Sequence, residues 1–178
     1  MDGARVPDAP GWGGVTRIEA IDQRELPVAQ AIHAVLLLAH AQEARLLKVK
    51  NVVPMAQVPE DLQRGPALFL GALRGDELLA CLSLVPDDDE PGQVAIGALV
   101  VRPAEQRSGL ARALVNDALR RCAGQVVSVI TGALNAPALA LYRELGFAEY
   151  RRGTLGVEAI EVVKLRCAAP TARAETGA

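Results

Sequence analysis

The sequence predicts a mixed α/β (α+β) domain with a mostly antiparallel central sheet covered by helices on both faces. Three observations predict it. Strand-like segments at residues 67–73, 77–85 and 93–101 are joined by short connections, the pattern of an antiparallel meander. From Leu110 onward, helical and strand patterns alternate as far as Leu165, which calls for crossovers and some parallel pairing. The 178 residues are 51% apolar and 22% charged, enough for one sizeable core and too apolar for a disordered chain.

Residues 15–21 read as a first strand. Pro27 opens a helix reaching about Leu47, since proline is tolerated in a first turn. Residues 48–64 give a weaker signal, although Pro59-Glu60-Asp61-Leu62 suits the start of a short helix. Within the meander, Gly75-Asp76 falls where a tight hairpin needs positive φ, and the third strand follows an acidic loop from Pro86 to Gly92. Leu110, Ala113, Leu114, Ala118 and Cys122 then repeat at helical spacing, with Arg112, Asn116 and Arg120 on another face and Gly124 as the stop. A strand at 125–131, a helix at 135–145 and strands at 147–152 and 157–165 complete the order. The folded unit is expected over residues 15–167, with flexible ends at 1–14 and 168–178. A binding crevice is expected near the third meander strand and the helix after it.

A net charge of -2 supplies no field for capturing nucleic acid, and 3% aromatics leave few platforms for stacking bases. Cys81, Cys122 and Cys167 lie far apart and outside metal-ligand spacing, so they read as reduced thiols, and no metal is expected. Residues 1–14 lack the basic start and apolar core of a secretory signal, and the apolar run at 34–39 is too short to cross a bilayer. The expectation is a cytoplasmic protein with no membrane or nucleic-acid partner; homodimerisation is left open.

Chemistry concentrates in the strand end and helix start from Leu99, Val100 and Val101 through Pro103 and Gln106 to Arg107, Ser108, Gly109, Leu110, Ala111 and Arg112. Free N–H groups at a helix start form an anion site, and small residues at 109 and 111 let a phosphate approach the backbone. Arg107 and Arg112 add charge suited to a diphosphate. An ordinary strand-to-helix turn accounts for the same residues.

With Leu99, Val101 and Pro103 at the strand end, and Gln106, Gly109 and Ala111 in the loop, the segment resembles the GNAT superfamily motif Q/R-x-x-G-x-G/A. Asn135, Ala138, Leu141, Tyr142, Gly146 and Phe147 match that family's N-x-x-A-x-x-L-Y-x-x-x-G-F pattern. The resemblance implies that Leu99, Val100 and Val101 hold the pantetheine arm of acetyl-CoA through their backbone. It also implies that Arg107 to Arg112 hold the pyrophosphate, that Asn135 contacts this co-substrate, and that Tyr142 acts as general acid to the departing thiolate. Asn135 also reads as a helix cap, and Tyr142 as a core residue on a stripe with Ala138, Leu141 and Leu145. A phenol of pKa about 10 is a weaker acid than a thiol of about 8.5, so hydrogen bonding to developing charge is the better description of its role.

The strand at 93–101 departs from many GNAT relatives in having no glutamate, so no general base is evident there. Neutralising an alkylamine of pKa near 10 costs about 4 kcal/mol at pH 7, against about 1.4 kcal/mol for an α-amine near 8. Either a base acts through water, or the acceptor is weakly basic. His40, Glu43, Ser83 and the acidic run 87–90 are candidates for substrate contact, although His40 and Glu43 also fit an exposed helix pair and the acidic run a solvated loop. The expected activity is acetyl transfer from acetyl-CoA to a small-molecule or peptide amine by direct attack. The alternative is a non-catalytic acyl-CoA-binding module. A nucleotide site fits less well, because the loop has neither the Lys-Ser/Thr of a P-loop nor G-x-G-x-x-G.

Overall fold

The first strand does not stand apart from the meander but extends it. The computed structural model describes residues 16–47, 58–157 and 159–168. Its elements are β1 (Thr16–Ile21), α1 (Leu26–Leu47), α2 (Pro59–Arg64), β2 (Leu68–Arg74), β3 (Glu77–Pro86), β4 (Val94–Val101), α3 (Leu110–Arg121), β5 (Val126–Gly132), α4 (Ala136–Glu144), β6 (Ala148–Leu155) and β7 (Ile160–Ala168). A 3-10 turn at Pro103–Glu105, not foreseen from the sequence, links β4 to α3. The seven strands form one sheet in the order β1-β2-β3-β4-β5-β7-β6. Only β4 and β5 run parallel; every other neighbouring pair is antiparallel. Val15, the chain ends expected to be flexible and residues 48–57 lie outside the described residues, and β7 continues to Ala168.

Turn chemistry fixes the meander. Arg74 pairs with Glu77 across Gly75-Asp76, and Gly75 takes φ 61°, a value open to glycine at little cost. Two apolar layers then sandwich the sheet. On one face α1 and α2 bury Ala29, Ile32, Val35, Leu36 and Leu62 against Phe69, Leu78, Cys81 and Val100. On the other, α3 and α4 bury Leu110, Leu114, Val115, Leu139 and Tyr142 against Leu70, Leu82, Val127, Val129 and Val163. The three cysteines are free thiols, and burial pushes Cys81 up to about 12.

The sheet opens between β4 and β5. Their pairing covers only Val94–Ile96 against Val127–Val129 and then stops. A bulge accounts for the change of direction: Ser83 pairs with Ala98 and Leu84 with Ile96, so Gly97 is the extra residue in β4. A Cβ at Gly97 would come within 3.0 Å of the Ser83 Oγ and 3.3 Å of Val85, which is why the position takes glycine. The isolated glycine in a strand was the local signal for this bulge.

Candidate functional site

Where β4 and β5 part, a cleft of about 440 Å³ opens through the sheet. Its walls include Gly97 to Val100 of β4, Ser128 to Gly132 of β5, His40 of α1, Asn135, Ala138 and Tyr142 around α4, and the loop carrying Asp87, Asp88 and Asp89. Of the site residues expected from the sequence, Leu99, Val100, Asn135 and Tyr142 therefore share one cavity. Val101, Arg107, Ser108, Gly109, Leu110, Ala111 and Arg112 are not among its walls; they continue the chain from the end of β4 into α3.

That continuation has the shape of an anion cradle. Gly109 caps α3 at φ 86° and ψ 0° and, having no side chain, makes no side-chain cap hydrogen bond to the first N–H groups of the helix. A Cβ added at Gly109 would meet nothing within 4 Å, so the approach to these N–H groups is open. Arg107 also takes a left-handed conformation, φ 60°, which is uncommon for a residue with a side chain. Ser108 donates its hydroxyl to the Glu105 carbonyl and so braces the loop. Arg112 forms an ion pair with Glu144, tying the start of α3 to the end of α4.

The helix-cap reading of Asn135 and the core reading of Tyr142 are both seen in α4. Asn135 is its N-cap, with Oδ1 accepting from the Ala138 N–H at 3.2 Å, and it also lines the cleft. Tyr142 is 3% exposed, sits in the α3–α4 core and reaches the same cavity.

Two expectations need correction. His40 is not half of an exposed helix pair: it is 4% exposed, because it continues the buried stripe of Ile32, Leu36 and Ala44 at every fourth residue. That stripe was the signal that marked it as inward-facing. Burial pushes its imidazole below the usual 6.5. Nor is the acidic run wholly solvated. Asp87 is buried, and it accepts from the Ser128 hydroxyl, the backbone N–H of Asp89 and the Lys164 ammonium, the last at 3.0 Å. Burial alone would raise the Asp87 carboxyl, but these donors outweigh it and hold it at about 2. Lys164 is buried too, and its bonds to Asp89, at 2.8 Å, and to Asp87 raise it despite that burial. No local pattern revealed Lys164, since it meets Asp87 only through the β5–β7 pairing.

Among the described residues, no cluster of His, Cys, Asp and Glu is arranged to hold a metal, and no helix is long and apolar enough to cross a membrane.

A family model described as Acetyltransferase (GNAT) family matches residues 37–147. A curated relative, the UPF0157 protein YqkA of Bacillus subtilis (strain 168), is 26% identical over 131 residues. The match takes in 73% of this chain but only 37% of that protein, so the chain spans little more than a third of its relative's length. Among solved structures, the ribosomal-protein-S18-alanine N-acetyltransferase from Escherichia coli superposes with a TM-score of 0.65 at 20% identity, covering 92% of this chain and 99% of that one. The protein yncA from Salmonella typhimurium, solved with its cofactor acetyl-CoA, gives 0.65 at 19% identity over 92% and 99%. NAA60 of Arabidopsis thaliana, in complex with a bisubstrate analogue, gives 0.62 at 19% over 85% and 97%. At such identities the likeness is one of fold.

Proposed function

Because this chain belongs to the acetyltransferase (GNAT) family, we propose that it transfers an acetyl group from acetyl-CoA to an amine, by direct attack within the β4–β5 cleft. Acetyl-CoA supplies a thioester already activated toward nitrogen nucleophiles. The observation that carries the reading is the unpaired edge of β4 from Gly97 to Val101, leading straight to an uncapped helix start at Gly109. A strand edge offers N–H and C=O groups to the amide-bearing pantetheine arm, and the helix start offers N–H groups to the pyrophosphate.

In this reading Leu99, Val100 and Val101 bind the arm through their backbone, and the backbone from Arg107 to Arg112 binds the diphosphate. An N–H of β4 polarises the thioester carbonyl, and holding amine and thioester together supplies much of the rate. The Tyr142 hydroxyl donates to the sulfur as negative charge develops there. The exposed carboxylate of Asp88 at the rim favours an acceptor that carries an amine. This chain is then an EC 2.3.1-class acyltransferase acting in the cytoplasm, on a small molecule or a peptide.

Thiol release from acetyl-CoA across a panel of small amines, peptide α-amines and lysine peptides tests the proposal. The expected result is amine-dependent release with a product heavier by one acetyl group. Binding of acetyl-CoA with no turnover on any amine would favour a non-catalytic acyl-CoA-binding module instead.

A further inference from the structure

We propose that His40 is the proton acceptor for the attacking amine, an assignment that rests on the acetyl-transfer reading above. His40 and Tyr142 stand on helices packed against opposite faces of the sheet, yet both line the cleft where β4 and β5 separate. The Nδ1 of His40 is buried and has no hydrogen-bond partner among the described residues. An orphaned imidazole nitrogen costs stability that an apolar side chain on this stripe would not. Among the described residues, a purely structural role therefore leaves the histidine unexplained.

The other ionisable groups around the cleft are poorly suited to the task. Asp87, held at about 2, is a very weak base, and its oxygens are engaged by Ser128, Lys164 and the loop backbone. Lys164 stays protonated at neutral pH. Asp89 is tied to Lys164 and Arg151, and Asp88 is exposed at the rim. Tyr142 is the donor to the sulfur. Among the described residues, the elements packed on α1 bring His40 no competing charge: β4 has no ionisable side chain, Glu77 of β3 pairs with Arg102, Glu105 pairs with Arg74, and burial keeps the Cys81 thiol of β3 protonated. Glu60, Asp61 and Arg64 of α2 are exposed, as is Arg45 of α1, while His33 is half-buried. A base whose conjugate acid lies below 6.5 is unprotonated and ready at pH 7.

The proton balance follows. The neutral amine forms a C–N bond to the thioester carbon, which places positive charge on nitrogen and makes its proton acidic. His40 takes that proton; the C–S bond breaks with its electron pair going to sulfur, the thiolate takes a proton from water, and His40 returns its own proton to water, which restores the base. Amine and acetyl-CoA are consumed, and amide and CoA thiol are formed. Because His40 acts on the nitrogen as it bonds, the acceptor must enter neutral, which points to α-amines or other weakly basic amines over lysine-like ones.

The test compares wild type, His40→Gln and His40→Ala for thermal stability, for the shift in Tm with acetyl-CoA, and for kcat against pH with an amine the wild type acetylates. The expected result is an unchanged acetyl-CoA shift, a Tm equal to or above wild type for His40→Gln, and a kcat lower by about a hundredfold or more. The acid limb of kcat, lying below pH 6.5 in wild type, should vanish, and added imidazole should restore part of the rate to His40→Ala. Wild-type kcat with an unchanged acid limb in either variant would overturn the assignment, as would a fall in Tm with turnover spared. A wild type that neither binds acetyl-CoA nor releases thiol would instead overturn the acetyl-transfer reading, and this assignment with it.

Discussion

Phe147 holds Tyr142 twice: its backbone N–H donates to the Tyr142 carbonyl at 2.9 Å, and its ring meets the Tyr142 ring edge-on at 5.3 Å between centroids. The Gly146 N–H donates to the Arg143 carbonyl at 3.1 Å, and Gly146 takes φ 88°. Together these bonds close α4 in a Schellman turn, so one local motif both ends the helix and orients the side chain that enters the cleft.

That arrangement makes Tyr142→Phe a clean probe, since the ring contacts survive. In this variant kcat should fall by about tenfold to a thousandfold, with little change in Tm or acetyl-CoA affinity. Steady-state kinetics under conditions where chemistry limits the rate, beside a melting curve, check it; full turnover in the folded variant would remove the hydroxyl from the mechanism.

Gly109→Val should weaken CoA binding by blocking the open approach to the α3 N–H groups. It should also cost about 1–2 kcal/mol of stability, because Gly109 sits in the left-handed region. Gly124→Val is the control: φ there is 80°, and its Cβ would likewise meet open space. Calorimetric titration should find CoA affinity reduced only in the Gly109 variant, while both lose similar stability.

The Asp87–Lys164 pair predicts a specific acid response. A carboxyl held near 2 instead of its ordinary 3.8 contributes stability that is fully present above about pH 4 and is lost as pH falls toward 2. Lys164→Met should reduce stability at pH 7 by about 3 kcal/mol, by stranding the buried Asp87, and should flatten the loss between pH 4 and pH 2. Denaturant titrations across that range measure both effects.

Gly97→Ala should overpack the bulge and cost about 1–3 kcal/mol. Adding Ser83→Ala removes the atom nearest the new Cβ, at 3.0 Å, so the double variant should regain part of the loss. A double-variant melting comparison decides whether the bulge depends on that contact.

Much of this was legible in the sequence because it depends on local chemistry. The Gly75-Asp76 turn, the Asn135 cap and the Gly146 helix stop each declare themselves within a few residues, and they set the element boundaries. The parting of β4 from β5 was less visible, since only Gly97 hinted at it and no pattern says which strands pair in parallel. Lys164 was not legible at all: its partner Asp87 lies 77 residues away in the chain, and only the closed sheet brings them together. The spacing of three between His40 and Glu43 fits an exposed pair, whereas the apolar stripe at every fourth residue from Ile32 to Ala44 turns His40 inward.

The central claim is that the cleft and the α3 start together take acetyl-CoA. Thermal unfolding of the wild-type protein with increasing acetyl-CoA tests it most directly, with ATP and NAD as controls. A ligand that binds only the folded state raises Tm, by about 2.7 kcal/mol of added stability at a hundred times its Kd. Tm should rise saturably with acetyl-CoA and CoA and not with ATP or NAD; no rise with acetyl-CoA up to millimolar concentration would contradict acetyl-CoA binding at this site.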